Sequence, residues 1–249
     1  MSHTVHPFSH RLGIIRDWKS RWFAPRGTYQ EFLKVDILLR EYLTKRLRGM
    51  YISSIEMERG SGTLRVIVKT SRPGLVIGRS GEGAVRLRND VLSFLKKLNL
   101  PAGRHGVSTM PELKIDIEEV RSPESNAAIV ASMVIEGLEK RLPFRRILKQ
   151  TVEKVMANRD VEGVRIGLSG RLGGADMSRS EELKKGRIPL QTFRADIDFA
   201  RDQAHLPYGD IGVKVWIYRG EVFVENKRDA NPRMHANDAN KNTAQERRP

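Results

Sequence analysis

The segment Arg72-Pro73-Gly74-Leu75-Val76-Ile77-Gly78-Arg79-Ser80-Gly81-Glu82-Gly83 contains a G-x-x-G turn between an apolar stretch and a predicted amphipathic helix. The apolar residues of that helix recur at helical spacing, at Ala84, Leu87, Val91, Phe94 and Leu98. Glycines remove the Cβ atoms that would keep a sugar–phosphate backbone away from the main chain. Exposed amide groups and the N-terminus of the following helix favour a phosphate, and Arg79 adds a positive charge. The segment therefore predicts a turn that binds nucleic-acid phosphates.

Three other glycine motifs fail in this chain, each at one position. A P-loop over residues 78–83 would need lysine where Ala84 stands, so the nucleotide phosphates would lose their main charge partner. A dinucleotide-binding loop that begins at Gly81 would need a third glycine at Arg86. A nucleophile elbow around Ser169 would need glycine at Arg171. These glycines therefore carry no signature of a nucleotide-binding or hydrolase site.

The elements around the turn follow a recognisable order. Apolar spacing predicts a helix at 31–47, and alternation predicts strands at 51–57 and 64–68, joined by a hairpin at Gly60-Ser61-Gly62. Residues 113–117 alternate as a further strand after the turn and its helix. This order resembles that of a type II KH domain, in which a G-x-x-G turn clamps the RNA backbone.

The second half of the chain predicts another layer of helices on a sheet. Ser122 and Pro123 form a typical helix start, a second helix is predicted at 144–157, and strands are predicted at 164–168 and 211–217. We therefore expect an α+β protein with two-layer α/β domains, a type II KH domain followed by a C-terminal domain. The predicted parts are a basic, aromatic arm at 1–30, the KH domain at 31–120, the C-terminal α/β domain at 121–225 and a disordered basic tail at 226–249. The loop at 101–111 matches no pattern.

The net charge of +15 and the pI of about 10.3 predict a polyanionic partner, either nucleic acid or an anionic membrane surface. Residues 1–120 carry 21 basic and 12 acidic side chains, residues 121–225 carry 18 and 15, and residues 226–249 carry 6 and 3. The absence of cysteine excludes disulfides, thiolate zinc sites and cysteine nucleophiles. The longest uncharged stretch, at 125–135, has 11 residues and is too short to span a bilayer.

Further motifs occur in the order found in one protein family. They are Val5-His6-Pro7, Arg11-Leu12-Gly13-Ile14, Tyr42-Leu43-Thr44-Lys45, Ser71-Arg72-Pro73-Gly74, Ser169-Gly170-Arg171-Leu172-Gly173-Gly174-Ala175, Arg194-Ala195-Asp196-Ile197-Asp198 and Gly212-Val213-Lys214-Val215-Trp216-Ile217. Over residues 1–225 the chain resembles the S3 family of small-subunit ribosomal proteins, in its bacterial or organellar form. The resemblance implies a non-enzymatic constituent of the subunit head in a cytoplasmic or organellar ribosome. Its implied partners are small-subunit ribosomal RNA, messenger RNA and neighbouring head proteins, without cofactor, metal, membrane or small-molecule substrate.

The residues expected to contact RNA fall into three groups. At the KH turn they are Arg72, Ile77, Gly78, Arg79, Ser80, Gly81 and Arg86. The resemblance implies that the helix from Phe144 lines the path by which messenger RNA enters, through Arg145, Arg146 and Lys149. Gln150 departs from the basic residue that the family often has there. Ribosomal RNA contacts are expected at Arg11, Lys19, Arg21, Arg165, Arg171, Arg179, Lys184, Lys185 and Arg187.

Other interpretations stay open at this point. Trp18 and Trp22 in the arm either stack on RNA bases or anchor the arm to its own domain. A non-ribosomal KH-type RNA-binding protein would share the turn and the charge. A metal-dependent nuclease would use Asp176, Asp196, Asp198 and Asp202, although ion pairs with Arg194 and Arg201 explain these carboxylates more simply. A zinc site would use His3, His6 and His10, but a fourth ligand is absent. A membrane-surface protein would need a strongly amphipathic basic helix, and none is evident.

Overall fold

The computed structural model of the chain describes residues 5–60, 62–98 and 112–223. Three parts of the sequence-based interpretation lie outside these residues: His3, the loop at 101–111 and the tail at 226–249. The described residues contain two four-stranded sheets, each packed against helices, which confirms the predicted α+β class. No helix in the described ranges combines the length and the apolar character needed to cross a membrane.

The first sheet has the strand order β1-β2-β3-β4. In chain order, the elements of this half are α1 (Pro7–His10), β1 (Ser20–Arg21), α2 (Arg26–Arg46), β2 (Ile52–Arg59), β3 (Thr63–Thr70), α3 (Pro73–Ile77), a 3₁₀ turn (Arg79–Gly81), α4 (Glu82–Lys97) and β4 (Glu112–Glu119). β2 and β3 form the predicted antiparallel hairpin, and β4 lies parallel to β3. The apolar stripes of α2 and α4, represented by Leu39, Leu43 and Val91, are fully buried against this sheet. This packing fixes the G-x-x-G turn at the surface between α3 and α4.

The second sheet has the strand order β6-β5-β8-β7, and all its neighbours are antiparallel. Its elements are α5 (Ala127–Glu139), α6 (Phe144–Met156), β5 (Gly163–Gly170), β6 (Arg179–Gly186), β7 (Ala195–Leu206) and β8 (Gly209–Glu221). Both helices pack on one face, where Val130, Val134, Leu148 and Ile166 belong to one buried cluster. The other face of the sheet is not covered by either helix.

Three of the elements that differ from the sequence-based expectation are α5, α2 and β6. α5 begins after Asn126 and not at Ser122, because the Asn126 side chain accepts hydrogen bonds from the amides of Ala128 and Ile129 at 3.1 and 3.3 Å. Ser122 precedes only a short 3₁₀ turn. α2 begins at Arg26, in the predicted arm. β6 lay unrecognised in the basic stretch 171–187, because an edge strand with a single core-facing apolar residue, Leu183, has little alternation.

The N-terminal arm connects the two sheets. β1 lies parallel to β2 in the first sheet, and Trp22 Nε1 donates a hydrogen bond to the buried carboxylate of Asp36 at 2.6 Å. Toward the second sheet, Arg16 pairs with Asp196 at 2.6 Å. Trp22 therefore anchors the arm to the protein, whereas Trp18 remains 59% exposed.

Candidate nucleic-acid interface

The G-x-x-G turn leaves its backbone open to solvent. Gly81 has φ +82°, and a Cβ built there would meet no atom within 4 Å. Gly83, at the start of α4, is required for a different reason, since its Cβ would lie 2.6 Å from the Val76 carbonyl oxygen. Glycine at 81 therefore serves an exposed left-handed turn, and glycine at 83 allows α3 and α4 to approach closely. The result is an accessible chain reversal at the N-terminus of a 16-residue helix.

Positive charge and apolar surface meet at this turn. Arg79 is exposed and makes no ion pair with any described residue. The Arg72 guanidinium lies over the Tyr51 ring at 4.3 Å, and Arg86 pairs with Glu82 at 3.1 Å. Ile77 is exposed beside the turn, together with Leu75 and Val85. The turn can receive a phosphate while the apolar side chains beside it contact a base or sugar.

α6 has an apolar inner face and a basic outer face, as its sequence predicts. Ile147, Leu148, Thr151, Val152 and Val155 are buried on its inner face. Arg145, Arg146 and Lys149 are exposed on its outer face. The structure thus brings together the three residues that were predicted as a group, on a helix held rigid by the second core.

The predicted ribosomal RNA contacts of the second domain do not form one surface. Alternation along β6 places Lys184 opposite Arg165 of β5 on the open face, and Arg179 and Lys185 on the side of α6. The Arg171 guanidinium donates to the carbonyl oxygens of Ala175 and Tyr208 at 2.9 and 3.2 Å, so it also shapes its own loop. Arg187 is exposed just beyond the end of β6.

The structure removes Arg11 from the predicted set of RNA contacts. Its side chain is 0% exposed and donates hydrogen bonds to four carbonyl oxygens, those of Pro7, Leu190, Thr192 and Ala195, at 2.5–3.1 Å. A buried guanidinium with all these partners has no surface for RNA, because exposing it would leave the four acceptors unpaired. Arg11 is therefore part of the second domain's interior.

The other two arm residues remain at the surface. Arg21 pairs with Asp17, Glu56 and Glu58 at 3.1, 2.8 and 2.9 Å, so its charge is already neutralised within the protein. Lys19 is exposed, and its ammonium lies 5.0 Å from the centre of the Phe8 ring. Of the three predicted arm contacts, Lys19 is the one best placed to meet a phosphate.

The residues of the metal hypotheses have protein partners. Asp196 pairs with Arg16 and Asp198 with Arg219 at 2.6 and 3.1 Å, so ion pairing holds them, although through partners other than the expected Arg194 and Arg201. The His6 ring packs edge-on against Phe199 at 4.8 Å, and His10 stacks on Phe193 at 4.1 Å. Among the described residues, no group of three carboxylates or histidines has metal-binding geometry.

Sequence reasoning missed two features of the second sheet. Arg201 of β7 and Lys214 of β8 lie directly opposite each other, an unfavourable like-charge pair, in a groove of about 450 Å³ that Trp216 also lines. Lys214 could have been found, because it alternates with the core-facing Val213 and Val215 and therefore lies on the face away from the core. Arg219 was also missed: it joins Asp198 to the carbonyl oxygen of Ser125, 94 positions away.

Comparisons with known proteins agree with this architecture. A family model described as "KH domain" matches residues 38–125, and one described as "Ribosomal protein S3, C-terminal domain" matches residues 134–217. The chain is 46% identical over 223 residues to the small ribosomal subunit protein uS3 of Alcanivorax borkumensis, covering 90% of both chains. It is 41% identical over 232 residues to the uS3 protein of Pseudomonas aeruginosa, covering 93% of this chain and 95% of the relative.

Proposed function

Because the chain belongs to the family of the small ribosomal subunit protein uS3, we propose that it is a structural constituent of the small-subunit head that binds the subunit's ribosomal RNA. The observation that carries this proposal is the G-x-x-G turn, with its open backbone and its unpaired Arg79 among the described residues. Its role is binding and not catalysis, and it acts in the ribosome, in the cytoplasm.

The proposed ribosomal RNA surface has two parts. The turn receives a backbone phosphate, while Ile77 and Arg72 contact the adjacent nucleotides. On the second domain, the open face of the sheet presents Lys184, Arg201 and Lys214, which make no ion pair with any described residue, beside Arg165, which pairs with Glu182. The like-charge pair of Arg201 and Lys214 favours a polyanion over bare solvent. The arm holds the two parts at a fixed distance through the pair of Arg16 with Asp196 and the bond of Trp22 to Asp36.

The outer face of α6 is the proposed contact for messenger RNA. Arg145, Arg146 and Lys149 form a row of exposed cations that can follow phosphates without reading bases. Gln150 is exposed next to them and is uncharged, so the row has three charges on this helix. Sequence-independent contacts suit a strand that must pass the helix whatever its sequence.

A neighbouring head protein is the proposed partner of α2. Tyr29, Leu33 and Ile37 recur every fourth residue and are 41–49% exposed along one side of this helix. An exposed apolar stripe on a rigid helix is typical of a protein–protein contact and does not attract phosphates.

The test is a sucrose-gradient profile of cells that express the tagged chain, followed by a high-salt wash. We expect the chain to travel with the small subunit and to stay bound. Gly81→Asp should reduce incorporation, because a carboxylate on the open turn repels phosphate. Gly49→Asp is the matched control, since Gly49 also has positive φ, +84°, and open space around it. Absence of the wild-type chain from the small subunit would favour a non-ribosomal KH-type RNA-binding protein.

A further inference from the structure

Two arginines share one carboxylate at the first turn of α6. Arg145 of α6 reaches Glu181 of β6, with Nε–Oε2 and Nη2–Oε1 distances of 3.4 and 3.3 Å. Arg179 lies two residues before Glu181 on the same face of β6, and its Nε is 3.3 Å from the same Oε1 atom. The side chains of Arg145 and Arg179 are 70% and 50% exposed. One negative charge therefore stands between two accessible positive charges.

Phe144 holds both guanidinium groups independently of Glu181. The guanidinium carbons of Arg145 and Arg179 lie 5.7 and 5.6 Å from the centre of the Phe144 ring, within the range of cation–π contacts. The ring itself packs against the core of the second domain. The two cations thus keep their place over a fixed ring when the carboxylate moves away.

The bonds to Glu181 are weak enough to be exchanged. Their lengths of 3.3–3.4 Å exceed the roughly 2.7–2.9 Å of strong charge-assisted hydrogen bonds. Exposed ion pairs of this kind contribute little to folding stability. A phosphate group offers more acceptor oxygens and can approach from the solvent side, where both arginines are open.

We propose that Glu181 is an internal competitor of RNA phosphates: it occupies Arg145 and Arg179 in the free protein and is displaced when an RNA strand reaches α6. The proposal rests on the function proposed for α6 and extends that surface to Arg179, which sequence analysis had grouped with the ribosomal RNA contacts. Competition keeps each contact with the moving strand short-lived, because the carboxylate returns as each phosphate leaves.

The test measures binding of the full chain to a fluorescent oligouridylate of about 20 nucleotides, over a range of salt concentrations. Glu181→Gln keeps the size of the side chain and removes its charge. We expect affinity to rise about three- to tenfold at low salt, with little change in the slope of log K against log salt, because Arg145 and Arg179 contact phosphates in both complexes. Weaker binding of Glu181→Gln would overturn the proposal and make Glu181 a residue that positions the arginines.

Glu41→Gln is the matched control. It removes the same charge from an exposed carboxylate of α2 that makes no ion pair with any described residue. An equal gain in both variants would overturn the proposal, because net charge would then be the cause. Adding Glu181→Gln to a chain that already carries Arg145→Ala and Arg179→Ala should have no effect, and a persistent gain would also contradict local competition.

A separate measurement distinguishes this proposal from the messenger role of α6. Ribosomes that contain Arg145→Ala with Arg146→Ala should assemble normally and handle messenger RNA differently. If their messenger handling is unchanged, the proposed function of α6 fails. The oligouridylate experiment still decides whether Glu181 competes for the two arginines.

Discussion

The N-terminal arm and the G-x-x-G turn are both basic, but their arginines have different partners. In the arm, Arg11 is enclosed by carbonyl oxygens, Arg16 pairs with Asp196, and Arg21 pairs with three carboxylates. At the turn, Arg79 is exposed and has no ion pair among the described residues. The density of positive charge in the sequence therefore does not identify an RNA contact. An exposed cation without a protein acceptor, next to open backbone, is the better candidate for such a contact.

The difference assigns separate roles to the two regions. Arg11 of the arm satisfies carbonyl oxygens that would otherwise be buried without partners, so RNA would have to break those bonds before it gained any. Arg79 makes no such bond in the described part of the chain, and a phosphate replaces only water. The arm therefore links the two domains, and the turn leaves a cation free for the proposed RNA contact.

The largest expected effect is loss of stability on removing Arg11. Arg11→Ala leaves four carbonyl oxygens without their donor, and we expect the free energy of unfolding to fall by about 3–5 kcal/mol. Urea denaturation followed by circular dichroism measures this change. RNA affinity of the folded fraction should stay within about twofold of wild type. A stable Arg11→Ala chain with weakened RNA binding would reverse the roles of arm and turn.

At the G-x-x-G turn we expect the opposite result, a loss of RNA affinity with unchanged stability. Arg79→Ala should leave the unfolding free energy within about 0.5 kcal/mol of wild type, because an exposed, unpaired side chain contributes little to it. RNA affinity should fall about tenfold at low salt, with a salt dependence shallower by about 0.7 in log–log slope. Fluorescence anisotropy with a single-stranded RNA measures both quantities.

Arg21→Ala is the control for the loss of charge in that experiment. It removes the same charge from an arginine that the protein already neutralises, so RNA affinity should change less than about twofold. Equal losses in the two variants would mean that overall charge, and not exposure, determines binding.

The features that the sequence predicted depend on residues close together in the chain, and those that it missed depend on residues far apart. The turn, α4 and the basic face of α6 follow from residues close together in the chain, so spacing alone predicted them. Arg11 could not be predicted, because its acceptors at Leu190, Thr192 and Ala195 lie about 180 positions away. The pairing of Arg145 with Glu181 depends on β6, a strand whose charged residues conceal its alternation. Whether an arginine stays free depends on carbonyl and carboxylate oxygens that are distant in the chain. A local sequence pattern does not predict these partners.

The smallest expected effect concerns His6 of the arm, whose ring packs against Phe199 of β7. Burial, together with the nearby Lys19 ammonium, lowers the pKa of His6 below its usual 6.5. The folded state therefore favours the neutral ring, and the stability that this contact contributes is present above about pH 6.5 and lost as the pH falls through the lower folded-state pKa. Between about pH 7.5 and 5, His6→Gln should lose slightly less stability than wild type, as thermal unfolding would show, while RNA affinity responds to pH equally in both chains. A difference in the pH dependence of RNA affinity would instead make His6 a direct RNA contact.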